Sequence, residues 1–308
     1  MKKTAILLAM LMLTAVAFAA ESSGAYAADA DSAVAKPKYW KPGFEATLGF
    51  SQMSLTNWAA GGYGQLSLNA YTDVYANYSK GKIIWNNELQ ARYGFIESFE
   101  DGYQKSDDRL IFDSKLGYKA VEKLYFSGIF NFRSQFAKGY NNKTDKVVVS
   151  DFMAPAYMSL GIGIDYTPFT NLSINFAPLT GKTVMVKSYG DLTEELRKRY
   201  GNAPDQFCRF ELGAQLKVDG KIEVKNFKVS STLILFSDYL NKPQNIKVTW
   251  DLNADAQLSK LFSITLRTNL IYDDNVKIVK KPGEAPSAGV QFREIFSIGF
   301  SYALGSKK

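Results

Sequence analysis

The sequence predicts an all-β fold, a closed antiparallel transmembrane β-barrel of about twelve strands. Three observations lead there. Long segments alternate apolar and polar residues with period two, their apolar faces are almost free of charge, and the connections between them alternate between short and long. From Gln65 to Tyr78 the even positions read Leu66, Leu68, Ala70, Thr72, Val74, Ala76 and Tyr78, against Gln65, Ser67, Asn69, Tyr71, Asp73, Tyr75 and Asn77 on the other face. Fourteen alternating residues are more than the five or six usual for a strand of a soluble sheet, and they suit a tilted crossing of a bilayer.

Taken in chain order, the first element reads as an export signal over residues 1–19. Lys2 and Lys3 supply its charge, Ala5 to Phe18 its apolar stretch, and Ala17-Phe18-Ala19 a cleavage site, with Ala25-Tyr26-Ala27 as a second candidate. Residues 20–43 read as a periplasmic tether, 44–304 as the barrel and 305–308 as a short tail. The strands are expected near 44–51, 62–78, 82–96, 107–119, 123–136, 157–167, 171–178, 206–218, 222–237, 246–258, 261–273 and 290–303. Tight turns are expected at Ser79-Lys80-Gly81, Ala120-Val121-Glu122, Pro168-Phe169-Thr170, Asp219-Gly220-Lys221 and Ser259-Lys260. Longer segments fall near 52–61, 97–106, 137–156, 179–205, 238–245 and 274–289. An even strand count with short turns at one end and long loops at the other is the pattern of a bacterial outer-membrane barrel, with both termini in the periplasm. The longest loop carries one short helix, with Asp191 as its cap, Glu194 and Glu195 in its first turn and Gly201 as its stop.

Composition bounds the chemistry. A mean hydropathy of −0.17 is compatible with a barrel, because lipid-facing and lumen-facing residues average out. The chain has no histidine, which excludes serine hydrolysis through an imidazole base and histidine metal sites, so no enzyme is expected, no catalytic residue and no cofactor. Removing residues 1–19 takes away only Lys2 and Lys3 and leaves a net charge of +5, too mild for a nucleic-acid partner. Cys208 is the one cysteine, so no internal disulfide forms; it falls on the apolar face and reads as an inert side chain. Asp251-x-Asn253-x-Asp255 spreads too far along a strand to share a metal ion. Tyr272-Asp273-Asp274-Asn275 reads as turn chemistry, so no metal ligands are assigned.

By the phase of the alternation, the lumen receives Arg92, Arg109, Lys115, Arg133, Arg209, Glu211, Asp251, Asp255, Arg267 and Arg293, together with Lys217, Lys228, Lys247, Asp73, Glu88, Asp113 and Asp165. Basic groups lead slightly. Such a set makes either a pore whose field favours anions or a lattice of ion pairs that fills the barrel; twelve strands fall between the filled eight and the open sixteen. The expected function is a passive channel or small-solute binding barrel, with a structural or adhesion barrel of closed, charge-filled lumen as the alternative. Expected partners are outer-membrane lipids, the outer-membrane assembly machinery and a small solute.

Trp58, Trp85 and Trp250 suit interfacial girdles. Glu294 falls on the apolar face between Phe292 and Phe296, which calls for a bulge at Arg293 to Ile295 or a place near the external interface. Trp58, Gly61, Gly62, Pro178 and Lys182 read as rim devices, because paired glycines and a proline suit strands leaving the sheet. The run Ile298 to Leu304 resembles the alternating, aromatic end by which assembly machinery recognises such barrels, but Gly305-Ser306-Lys307-Lys308 follow it. Five local strings stand in order along the chain: Asn57 to Gly62, Ala154 to Tyr157, Pro178 to Lys182, Asn241 to Asn245 and Ile271 to Asp274. On them the chain resembles an outer-membrane β-barrel family of Bacteroides-like bacteria catalogued as a domain of unknown function. The resemblance implies the barrel and its location and carries over no activity.

Overall fold

The computed structural model describes residues 39–53, 65–98, 102–140, 147–188, 190, 193–259, 262–278 and 285–305. The signal segment, the tether up to Lys38, Trp58, Gly61, Gly62, Asp191 and the last three residues lie outside them. The described chain forms a closed barrel of twelve antiparallel strands. These are β1 (Trp40–Met53), β2 (Gln65–Lys80), β3 (Ile83–Ser98), β4 (Gly102–Val121), β5 (Leu124–Ser134) and β6 (Ala156–Phe169). The second half comprises β7 (Leu172–Met185), β8 (Cys208–Val224), β9 (Phe227–Asp238), β10 (Lys247–Gln257), β11 (Phe262–Tyr272) and β12 (Gln291–Gly305). Each strand pairs with the next in sequence, and β1 closes on β12 from Gly43 opposite Gly305 to Gly49 opposite Gly299. Over those seven residues the two ends of the sheet are hydrogen-bonded to each other, and pairing of strand amides within the protein is the condition for crossing hydrocarbon with strands.

Alternation sorts the two faces. Leu160, Ile162, Phe210 and Phe296 point outward and are more than half exposed, whereas Asn69, Tyr71, Asp165, Asn175 and Thr265 point inward and are buried. An apolar outside around a polar inside is the arrangement a bilayer demands. At the tight-turn end Trp40 packs against Tyr78 and Trp85 at 5.1 and 5.8 Å between ring centroids, one sector of an interfacial girdle. Glu294 lies on the outer face in unbroken register with Thr268, so the bulge expected there is absent. It is the fourth residue of β12 from the long-loop end, where a carboxylate reaches water.

Several boundaries move, each for a local reason. β1 starts at Trp40 rather than Phe44; Pro42 is accommodated because β12 accompanies β1 only as far as Gly43, so the missing amide faces no partner. The turn expected at Asp219-Gly220-Lys221 forms instead at Lys225 and Asn226, where Lys225 takes a φ of 51°; Gly220 is an ordinary ladder residue opposite Ser231 and Leu172. The long segment expected at 97–106 is largely strand: β3 and β4 run on to Ser98 and Gly102, with Phe95 stacked on Tyr103 at 5.5 Å across the pair. Most consequential is β7, which does not leave the sheet at Pro178 but continues to Met185. Both neighbours register a bulge there: Gly213 and Gln215 of β8 face Thr180 and Ala177, and Ile162 and Ile164 of β6 face Leu179 and Phe176. Pro178 and Leu179 both stand exposed, between buried Ala177 and buried Thr180.

At the long-loop end the segments 147–155, 186–188 and 193–207 fold against each other. Ala154, Val186 and Leu196 form a small buried core with Tyr200 packed on it. The helix α1 (Thr193–Arg199) supplies Leu196; Glu194 pairs with Lys198 at 2.6 Å one turn on, and Gly201, at a φ of 80°, ends the helix as expected of a C-terminal glycine. Tyr200 donates its hydroxyl to the Val149 carbonyl at 2.8 Å, and burial pushes that phenol up to about 12, so it stays a donor at physiological pH. The Lys187 amide donates to Met153 at 2.8 Å.

Wall packing at the seam gives a test. A Cβ on Gly43 would lie 2.1 Å from the Tyr75 ring, whereas one on Gly128 meets nothing within 4 Å. Gly43→Ala is expected to cost about 1–3 kcal/mol by overpacking. Urea unfolding of the heat-modifiable band should register that loss and leave Gly128→Ala close to wild type.

Candidate functional site

The twelve-stranded wall encloses more lumen than uncharged side chains fill, and the charged ones meet across it. Arg109 on β4 reaches Asp251 on β10, six strands round and therefore diametrically opposite, at 2.9 Å. Arg133 on β5 takes the other oxygen of Asp251 at 3.2 Å, and Asn269 donates to the carboxylate at 2.7 Å. Asp107, 1% exposed, pairs with Arg109 at 3.2 Å and with Arg293 on β12. Together these groups make a septum across the barrel.

Other pairs fill the levels towards the tight-turn end. Lys217 on β8 spans to Asp113 on β4 at 3.1 Å, and Lys115 binds Asp165 and Ser173 at 3.0 and 2.8 Å. Lys228 on β9 binds Glu45 on β1 at 2.6 Å, four strands away. Arg92 pairs with Asp73 at 2.5 Å and Arg267 with Asp255, and the two guanidinium groups lie 5.6 and 5.3 Å from the ring centre of Tyr71 between them. Glu88 accepts from Gln90 at 3.1 Å. The acidic pair Asp251 and Asp255 is thus divided between different arginines. Asp273 accepts the Asn275 amide at 3.0 Å in the turn after β11, the turn role expected of that cluster.

A second group lies nearer the loops. Glu211, 1% exposed, is met by Arg209, by Lys247 at 2.5 Å and by Lys182 at 3.4 Å; Asp273 stands 3.6 Å from Lys247 and 3.7 Å from Lys182. Lys182, expected at a strand's departure, is therefore a lumen residue inside β7. Between this group, the septum and the folded loops lies a cavity of about 360 Å³. Arg109, Arg133, Arg293 and Asn269 line its septum side, Lys182 and Lys247 its wall, and Ser150, Pro155, Tyr200 and Val276 the loop side. Tyr157, Ile234, Phe236 and Ile271 give it an apolar lining as well.

Of the sequence-derived lumen residues, Arg109, Arg133, Arg209, Glu211, Asp251 and Arg293 thus gather at the septum and cavity. Arg92, Lys115, Asp255 and Arg267 fill other levels of the lumen. Trp58, Gly61 and Gly62 lie outside the described residues, and Pro178 stands on the outer wall. Sequence reasoning missed Asp107, Tyr157 and Phe236. Asp107 sits at the bulge opposite Gly94, and the two aromatics fall on the inward phase but carry no charge to mark them as lumen groups.

A family model described as a protein of unknown function (DUF3078) matches residues 50–140, in accord with the family resemblance seen in the sequence. No curated protein matches. Among solved structures, the translocator domain of autotransporter NalP from Neisseria meningitidis aligns at 12% identity and a TM-score of 0.36, over 94% of this chain and 97% of that one. An outer-membrane channel from Pseudomonas putida F1 aligns at 10% and 0.39, over 90% and 100%. OmpT, an outer-membrane protein of Vibrio cholerae, aligns at 8% and 0.30, over 87% and 99%. At such overlap the architecture stands on this chain's own strand register.

The septum predicts a graded response to neutralisation. Asp251→Asn leaves two arginines with a neutral partner in an enclosed site and is expected to lower stability by about 3 kcal/mol. Glu45→Gln, at a pair nearly a quarter exposed, should cost less than 1 kcal/mol. Equilibrium unfolding in lipid vesicles measures both; equal losses would mean that the septum is no better enclosed than the Glu45 pair.

Proposed function

We propose that this protein is an outer-membrane solute-binding barrel: it holds a small solute in the cavity on its loop side, above a lumen closed by ion pairs, and it is not a permanently open pore. The observation that carries this reading is the cavity of about 360 Å³ lying between folded loops and the Asp251 septum. Its size falls in the range of small-molecule pockets, and its mixture of cations, hydroxyls and aromatic rings is what orients a ligand. Location in the outer membrane is supported by the apolar outer face, the even strand count and the termini at the tight-turn end. The protein is read as a binder and not an enzyme, because it lacks histidine and each carboxylate around the cavity is engaged by cations or amides.

The rival reading is a structural barrel, favoured by the cross-lumen pairs themselves. Two measurements separate the readings. In planar bilayers the wild type is expected to give no steady current steps, while Arg109→Ser combined with Asp251→Ser should give them; steady conductance from the wild type would rule out the closed lumen. In saturation-transfer NMR with a mixture of small organic acids, alcohols, amines and sugars, at least one compound should bind, and Thr249→Trp, which fills the cavity from β10, should abolish that signal. Absence of any bound compound would leave the structural barrel.

A further inference from the structure

We infer that the solute is a single-ring organic anion, its acidic head held by Lys182 and Arg133 and its apolar body laid against Tyr157 and Phe236; this rests on the cavity being a solute site. Charge is the first argument. The septum group joins Arg109, Arg133 and Arg293 to Asp107 and Asp251, and the second group joins Lys182, Arg209 and Lys247 to Glu211 and Asp273. Among the described residues each holds three cations and two carboxylates, so the cavity lies between two groups that each carry one positive charge over. Asp108, the remaining carboxylate on the cavity, is occupied by Lys105 at 2.7 Å and by the amides of Phe136 and Ala137 at 2.7 and 2.8 Å. A solute carrying an acid group supplies what the site lacks.

Donor availability is the second argument. Among the described residues the Lys182 ammonium, largely enclosed, has no carboxylate closer than 3.4 Å, and the facing Glu211 Oε2 has no hydrogen-bond partner. Arg133 has one ion pair among the described residues, through Nη2 to Asp251. Both residues therefore keep donors for a ligand oxygen, and charge-assisted bonds in an enclosed site are the strong ones. Tyr157 ties them together: it is the register partner of Arg133, and the Lys182 ammonium stands 5.9 Å from its ring centre and 5.3 Å from that of Phe236. The rings lie beside the cations, so a ligand whose ring adjoins its acid group meets both at once. At about 360 Å³ the cavity is near the lower end of the range for ligand pockets, which fits one ring and not several.

The test titrates folded protein in zwitterionic lipid nanodiscs with phenylacetate, phenethyl alcohol, phenethylamine and acetate, following heat. Phenylacetate should bind at least tenfold more tightly than any of the other three, the advantage of about one charge-assisted bond. Lys182→Met, whose partner Glu211 keeps Lys247 and Arg209, should fold to a normal heat-modifiable band and lose that advantage; Arg133→Gln is the second variant. Alcohol or amine binding as tightly as phenylacetate overturns the anion assignment while leaving the cavity a solute site, and acetate binding equally well overturns the apolar body. An undiminished phenylacetate preference in both variants overturns the assigned residues. If none of the four binds and the NMR mixture also gives no ligand, the solute site itself is wrong.

Discussion

A charge enclosed by a barrel wall, with hydrocarbon beyond it, has little bulk water to solvate it, and so must find an opposite charge within side-chain reach. That requirement organises this protein. Twelve strands make a lumen wider than eight-stranded barrels fill, and narrow enough for an arginine on one wall to touch an aspartate on the other. Asp251 is where the two limits meet, with Arg109 arriving from the opposite strand and Arg133 from the strand beside that one. The septum is at once the barrel's internal brace and the floor of its cavity, so binding chemistry and stability share the same residues.

This sharing explains why the cavity is basic. Carboxylates in the septum and the loop-side group are each approached by two or three cations, which stabilises the acids but leaves positive charge over. A wall built for neutrality would need two further acids. Among the described residues neither group meets a further acid, so a neutral solute would leave the surplus unanswered. The loops narrow the opening: Leu196 and Tyr200 join two of them beside the cavity, so the dielectric around the cations is lower than at a bare rim, and each bond made there counts for more.

Much of the wall was legible in the sequence, since period two, turn spacing and strand number are local properties. The inward set from Arg92 to Arg293 followed from phase alone. Three kinds of feature did not. Gly220 reads as a turn and is a ladder residue, because glycine marks a turn only where a positive φ is needed, and here Lys225 provides it. The partners of the inward charges are set by barrel closure: Arg109 and Asp251 are 142 residues apart, and no local pattern links them. Phe236 and Tyr157 fall on the inward phase, Phe236 in step with Lys228 and Tyr157 beside outward Met158, but no local pattern says that two aromatic rings meet at one cavity.

The bulge in β7 shifts the frame in which that strand is read. Up to Ala177 the odd positions face inward; after Pro178 and Leu179, which both face outward, Thr180, Lys182 and Val184 do so instead. One wall is thus written in two phases, and the residue that changes the phase touches nothing in the lumen. Were all these residues kept in strict alternation with no bulge, Lys182 would be directed into the bilayer, where a lysine is disfavoured by roughly 2–4 kcal/mol at mid-depth, and Gly181 and Thr183 would take its place inside. The polarity of the cavity therefore depends on β7 bulging at Pro178 and Leu179 as much as on which residues it contains, and a relative lacking the extra residue would pair without a bulge around the same interior.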